Sequence, residues 1–163
     1  SAARLCRLYR NQGMEMRYQN EVVGFNLRMT DIHAAIGIEQ LKKIESWTEK
    51  RIENARFLNE GIQTCEVPVT PAGYRHVFHQ YTIKVRHNRD KFSEELSKLG
   101  IGNSVYYPTQ VHKLPSFNLK LDLPNTEAAT LQALSLPVHP SLSKKDLQRI
   151  VDAVNKVGER SYG

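Results

Sequence analysis

The chain has 163 residues, enough for one domain with a usable core, and its 40% apolar and 25% charged residues are an ordinary globular balance. No apolar run is long enough to span a bilayer as a helix, so no membrane span is expected. The 23 basic against 17 acidic residues give +6, but the basic pairs Lys42–Lys43, Lys50–Arg51 and Lys144–Lys145 alternate with acidic residues, as on solvated helix faces and unlike a nucleic-acid-binding surface.

In chain order, Ala2 to Tyr9 predicts a helix, with Leu5, Leu8 and Tyr9 on one side and a stop at Asn11-Gln12-Gly13. Met14 to Val23 is polar and aperiodic and reads as a loop. Gly24 to Leu41 (GFNLRMTDIHAAIGIEQL) is the most informative stretch. A glycine-led turn presents Asn26 and Arg28 at a helix entrance, where an amide, a guanidinium and a positive dipole end favour anions. Thr30 or Asp31 caps the helix. From Ile32 to Ile38 that helix is apolar all round except for His33, the pattern of an interface helix. It then turns amphipathic through Ile62.

Cys65 to Gly73 is irregular. Val77 to Val85 predicts a strand, Phe92, Leu96 and Leu99 a helical stripe ending at Gly100, and Ser104 to Tyr107 a second strand stopped by Pro108. Val111 to Leu123 reads as an extended loop. A helix from Asn125 or Thr126 through Leu134 is expected to turn Ala128, Ala129, Leu131 and Leu134 inward. Leu136 to Val138 is a third short strand. Ser143 and Asp146 form an Asp variant of the capping box before a last helix that buries Leu147, Ile150, Val151, Val154 and Val157. The order predicts an α+β domain: a long helix plus a short three-stranded sheet covered mainly on one face by helices. Residues 1–29 read as an entry region with the anion-seeking turn, 30–64 as the long interface helix, 65–158 as a small α/β domain and 159–163 as a tail.

Chemistry is sparse elsewhere. His76 and His79, three apart on a strand, point to opposite faces and converge on no metal. Cys6 and Cys65 lack CxxC spacing and read as free thiols of a reducing, cytoplasmic setting. No catalytic triad, phosphate-binding loop or dinucleotide fingerprint is present. Taken alone, Asn26 could simply stabilise its turn, with Arg28 paired to Glu21 or Asp31. Tyr106 and Tyr107 could be packing residues, with His112 on a surface loop.

Several segments resemble the DegT/DnrJ/StrS family of sugar aminotransferases. Gly24 to Gly37 is similar to its G-[FY]-N-x-R-[ML]-[TS]-[DE]-I-x-A-A-I-G. Leu8 to Gly13 (LYRNQG) resembles L-x-R-N-x-G, and His76 to Val85 (HVFHQYTIKV) resembles its H-V-[FY]-H-x-[FY] strand. Gly100 to His112 (GIGNSVYYPTQVH) resembles G-I-x-x-x-x-[HY]-Y-P-x-P-x-H, and Leu134 to Pro137 (LSLP) its S-L-P element. The pieces stand in the family's order over roughly Arg4 to Val157.

The resemblance implies the small C-terminal domain of a fold-type-I, aspartate-aminotransferase-like enzyme that uses pyridoxal phosphate. It implies that Asn26 and Arg28 contact the cofactor phosphate of a neighbouring protomer. Tyr106, Tyr107 and His112 would border the substrate, a nucleotide-linked keto sugar aminated at the expense of an amino acid, glutamate being expected. A homodimer through 30–64 is implied too. The family's Schiff-base lysine falls upstream of L-x-R-N-x-G, so this chain is expected to hold no such lysine, to be inactive alone and to bind no cofactor by itself. Tyr106 stands where histidine is frequent, and Gln110 where proline is usual, which bears on substrate class. Two other readings stay open: a non-catalytic dimerisation module, and a basic DNA-binding regulatory domain.

Overall fold

A computed structural model describes residues 1–162. Two compact units divide the chain, 1–44 and residues 45 onward. The N-terminal unit holds α1 (Ala2–Arg10), the strands β1 (Met14–Met16) and β2 (Gln19–Asn20), and the start of α2 (Asp31–Gly61). The C-terminal unit holds the rest of α2, then β3 (Tyr81–Lys84), α3 (Arg89–Lys98), a single 3-10 turn (Val111–Lys113), α4 (Pro124–Gln132), β4 (Ala133–Leu136) and α5 (Lys144–Tyr162). The expected tail is therefore helical through Tyr162, and Gly163 lies outside the described residues.

The segment expected as a loop, Met14 to Val23, contains the β1–β2 hairpin instead. Its two-residue turn needs a left-handed residue, and Tyr18 supplies it at φ 66. A polar sequence with no alternating pattern hides so short a ladder. Arg4 braces the hairpin by reaching both Glu15 (2.7 Å) and Glu21 (2.5 Å).

In the C-terminal unit, β3 and β4 pair antiparallel, with Tyr81 opposite Leu136 and Ile83 opposite Leu134. Strand alternation sends these four side chains into the core, where they meet Ala55 and Leu58 of α2, Phe92 and Leu96 of α3, and Val151 and Val154 of α5. The other face carries Thr82 and Ser135, whose hydroxyls lie 2.8 Å apart. The expected second strand, Ser104 to Tyr107, reduces to one bridge, Ser104 with Ser135, and Glu66 bridges Lys84 at the opposite edge. Two ladder strands extended by two bridges thus replace three strands. β4 runs over 133–136 rather than 136–138 because Pro137 has no N–H to give a ladder. β3 begins only at Tyr81, since Phe78 is left-handed (φ 45) and donates its N–H to His76 Nδ1.

α4 also departs from expectation. Proline at its first turn starts it early, and it ends at Gln132. Ala128, Ala129 and Leu131 face outward, while Thr130 is buried and Leu134 belongs to β4. The buried Arg89 takes the place a capping residue would fill, donating to the carbonyls of Thr130 and Ala133 (3.1 and 2.9 Å). All five expected residues of α5 are buried. Asn155 on α5 closes the end of α2, donating to the Gly61 carbonyl and accepting from the Gln63 N–H, both at 2.9 Å. Burial pushes the Tyr81 phenol well above its usual range, aided by the nearby Cys65, and the phenol donates to Asn59 at 2.7 Å.

Candidate functional site

Two glycines locate the turn that carries Asn26 and Arg28. Gly13 sits left-handed at φ 76, and a methyl group there would lie 1.7 Å from the Val22 carbonyl oxygen. One on Gly24 would lie 2.1 Å from the Gly13 nitrogen. This close approach lets the turn run along the end of α1. Phe25 donates to Tyr9 O (2.6 Å), Gln12 to Phe25 O (2.8 Å) and Leu27 to Arg10 O (2.9 Å). Asn11 and Asn26 form the bridge at the centre. The LYRNQG and GFNLR segments, separate in sequence, are therefore one stapled structure.

On that frame Arg28 Nε donates to Asn26 Oδ1 at 3.0 Å. An Nε–H can only donate, so the amide must turn its oxygen to Arg28 and keep its NH₂ available. Neither side chain has a carboxylate partner among the described residues. Glu21, the alternative partner, is held by Arg4 instead. Both residues are exposed, and Arg28 lines an open cleft of about 1380 Å³ with Asn11, Gln12, Tyr18 and Glu21. The result is a pair of donors with an uncompensated positive charge, a set that suits a phosphate. The start of α2 contributes less than expected. Thr30 Oγ1 already accepts from the His33 N–H (3.3 Å), and Asp31 puts a negative charge in the first turn. Anion affinity here rests on side chains more than on the helix dipole.

The apolar start of α2 is open within this chain. Ile32 is 74% exposed, Ile36 55% and Ile38 57%. Phe25, Leu27 and Met29 beside it are exposed too.

The remaining predicted residues lie in the C-terminal unit. Tyr106 and Tyr107 are exposed and line one cleft of about 420 Å³, together with Gln80, Thr82, Ser104 and Asn125. No charged side chain lines it. Period-two alternation in β3 signals Thr82 as an outward residue, but only the tertiary fold brings Asn125 to the same place. His112 is not part of that lining. It is buried (6% exposed), its Nε2 has no hydrogen-bond partner, and the nearest carboxylate oxygen, Glu127 Oε1, is 3.7 Å away. Its alternative reading as a surface loop histidine is thereby corrected: the segment turns back on itself here, with the Leu119 N–H donating to the His112 carbonyl at 2.8 Å. Lys113 binds the same Glu127 oxygen at 2.8 Å and is the main cause of that carboxyl's lowered pKa. Among the described residues no group of His, Cys, Asp and Glu could hold a metal.

The model of the DegT/DnrJ/EryC1/StrS aminotransferase family matches residues 1–155. The chain belongs to this family. A pleiotropic regulatory protein of Geobacillus stearothermophilus is 36% identical across 93% of this chain and 43% of its own length. A dTDP-3-amino-3,4,6-trideoxy-alpha-D-glucose transaminase of Streptomyces venezuelae is 31% identical across 94% of this chain and 42% of its own. Among solved structures, S. venezuelae DesV in complex with a ketimine intermediate superposes with a TM-score of 0.91 at 30% identity, covering 97% of this chain and 44% of that one. A family aminotransferase from Brucella abortus gives 0.86 at 32% identity, over 95% and 43%. The family chain thus spans less than half the length of the relatives it matches. The α+β architecture expected from the sequence agrees with these structures.

Proposed function

We propose that this chain forms the C-terminal part of a pyridoxal-phosphate-dependent aminotransferase that moves an amino group from an amino acid, glutamate in our reading, to a nucleotide-linked keto sugar. The observation that carries the proposal is the Asn26–Arg28 pair: two phosphate donors, free of any carboxylate, on a turn fixed by Gly13 and Gly24. Membership of the aminotransferase family supports it.

Pyridoxal phosphate, when bound, supplies the electron sink that amino transfer needs. Asn26 NH₂ and the terminal nitrogens of Arg28 would hold its phosphate, across a homodimer whose second protomer covers the apolar face from Ile32 to Ile38. In that arrangement the pair orients an anion and neutralises it. Proton movement belongs to a lysine outside these residues, so the chain alone is inactive in this reading. Tyr106 and Tyr107 would flank the sugar, since an uncharged cleft edged by aromatic rings and hydroxyls suits a polyol. His112 would border the substrate from the 111–123 segment, which Lys113 ties to Glu127 of α4. A cytoplasmic setting fits the free thiols of Cys6 and Cys65.

The test uses the complete protein, assayed for cofactor affinity and amino transfer. Arg28→Ala is expected to weaken cofactor binding by roughly ten- to a hundredfold, the worth of a charge-assisted bond, with Arg28→Lys only partly restoring it. Unchanged cofactor affinity in both Arg28→Ala and Asn26→Ala would overturn the assignment.

A further inference from the structure

Glu127 is the acidic residue in the first turn of α4, where a carboxylate complements the helix dipole. That role alone would leave the side chain facing water. Instead one oxygen, Oε1, meets two successive residues of the 3-10 turn: Lys113 Nζ at 2.8 Å and His112 Nε2 at 3.7 Å. The Lys113 pair is partly exposed and of the kind worth little to stability. Its consequence is orientation. It fixes the carboxylate beside the imidazole, and as the main cause of that carboxyl's lowered pKa it keeps the group ionised at neutral pH. The imidazole backbone is held in place as well: the Leu119 N–H donates to the His112 carbonyl (2.8 Å), and the Lys113 N–H to the Gln110 carbonyl (2.9 Å). Yet Nε2 is closed off from solvent with no hydrogen-bond partner. A sealed polar atom without a partner is costly, and its presence calls for a cause.

We infer that Glu127 is a positioning residue: it keeps the neutral imidazole of His112 in the tautomer with its proton on Nε2, leaving Nδ1 as a hydrogen-bond acceptor. An ionised carboxylate can only accept. A bare Nε2 facing it would set lone pairs against each other, whereas an Nε2–H is attracted. A neutral imidazole carries one proton, so the group facing one nitrogen decides what the other offers. At 3.7 Å the contact is longer than a hydrogen bond, and a small turn of either side chain closes it. No hydrogen bond to Nδ1 is made among the described residues, so that nitrogen is open to a ligand. Resting on the function proposed above, in which His112 borders the substrate, Nδ1 accepts from a hydroxyl of the sugar.

The experiment is nitrogen NMR of the chain with isotope-labelled histidine rings, at alkaline pH where imidazoles are neutral. Among the six histidines, the His112 resonances are those that His112→Gln removes. The expected result is an Nε2 resonance of the proton-bearing type and an Nδ1 resonance of the bare type. In Glu127→Ala the two should move toward each other as the tautomers mix. Glu127→Gln, which keeps the shape of the side chain, should do the same, because an amide donates as well as accepts. Lys113→Gln removes the ion pair but leaves the carboxylate, and should keep the natural pattern. The amides of Tyr81 and Ile83 in β3 should stay unshifted throughout, since the fold is not at stake. A proton on Nδ1 in the natural chain would overturn the inference. So would unchanged ring resonances in both Glu127 variants, or an equal change in Lys113→Gln, which would make the ion pair and not the carboxylate the cause. No sugar or cofactor enters these measurements, so failure of the proposed function is separable from failure here.

Discussion

A methyl group at position 24 has nowhere to go: the backbone of Gln12 and Gly13 lies within 3 Å of where it would stand. Gly24→Ala must therefore push the turn off the end of α1, breaking the bonds from Phe25 to Tyr9 and from Leu27 to Arg10. Hydrogen exchange is the measure. The amides of Phe25 and Leu27 should lose protection, while those of Tyr81 and Ile83, paired in β3, should keep it. Equal protection of Phe25 and Leu27 in the variant would mean that the close approach does not govern the turn. The turn that carries Asn26 and Arg28 was legible in the sequence, because both stand in one glycine-led stretch before a helix. The glycine contact was not, since Gly13 and Gly24 meet only after α1 and the hairpin have folded. The burial of His112 was not legible for a similar reason: Glu127, the carboxylate beside it, comes from later in the chain and carries no local signal.

Among the elements, α5 was the easiest to read and β4 the hardest. The stripe from Leu147 to Val157 repeats at threes and fours, and the start of α5 is marked by its capping box. Ser143 Oγ accepts from the Asp146 N–H (3.2 Å), and Asp146 Oδ2 accepts from the Ser143 N–H (2.9 Å). Removing the hydroxyl by Ser143→Ala should cost about 1 kcal/mol in urea denaturation at neutral pH. The Ser143 hydroxyl and backbone N–H hold the Asp146 carboxyl below its usual range. Its contribution is thus present above the unfolded carboxylate pKa of about 3.9 and is lost as pH falls through the lower folded value. The difference between the natural chain and Ser143→Ala should narrow over that acid range. A difference constant down to low pH would contradict the reciprocal cap. β4 shows the opposite case. Four residues are too few for periodicity to fix a register, and Leu136 and Val138 flank a proline that excludes the ladder. In α4 the helix was correctly anticipated but its inward face was not, because Thr130 buries itself by bonding to the Thr126 carbonyl while Leu131 faces solvent.

At the scale of the whole molecule, the C-terminal unit closes its own core, whereas the start of α2 leaves isoleucines open. A helix that is apolar all round and uncovered within its own chain calls for a covering surface. Sequence periodicity announced that need from Ile32 to Ile38, and the chain spans less than half the length of the relatives it matches. In the function we propose, this face seats on a second protomer and the turn beside it grips that protomer's cofactor phosphate. The most direct measurement is a crystal structure of the complete homodimer with pyridoxal phosphate bound. Nitrogen atoms of Asn26 and Arg28 are expected at about 3 Å from the phosphate oxygens of the cofactor held by the opposite protomer. A cofactor phosphate bound wholly by other groups, with the Gly24-to-Arg28 turn facing solvent, would contradict it.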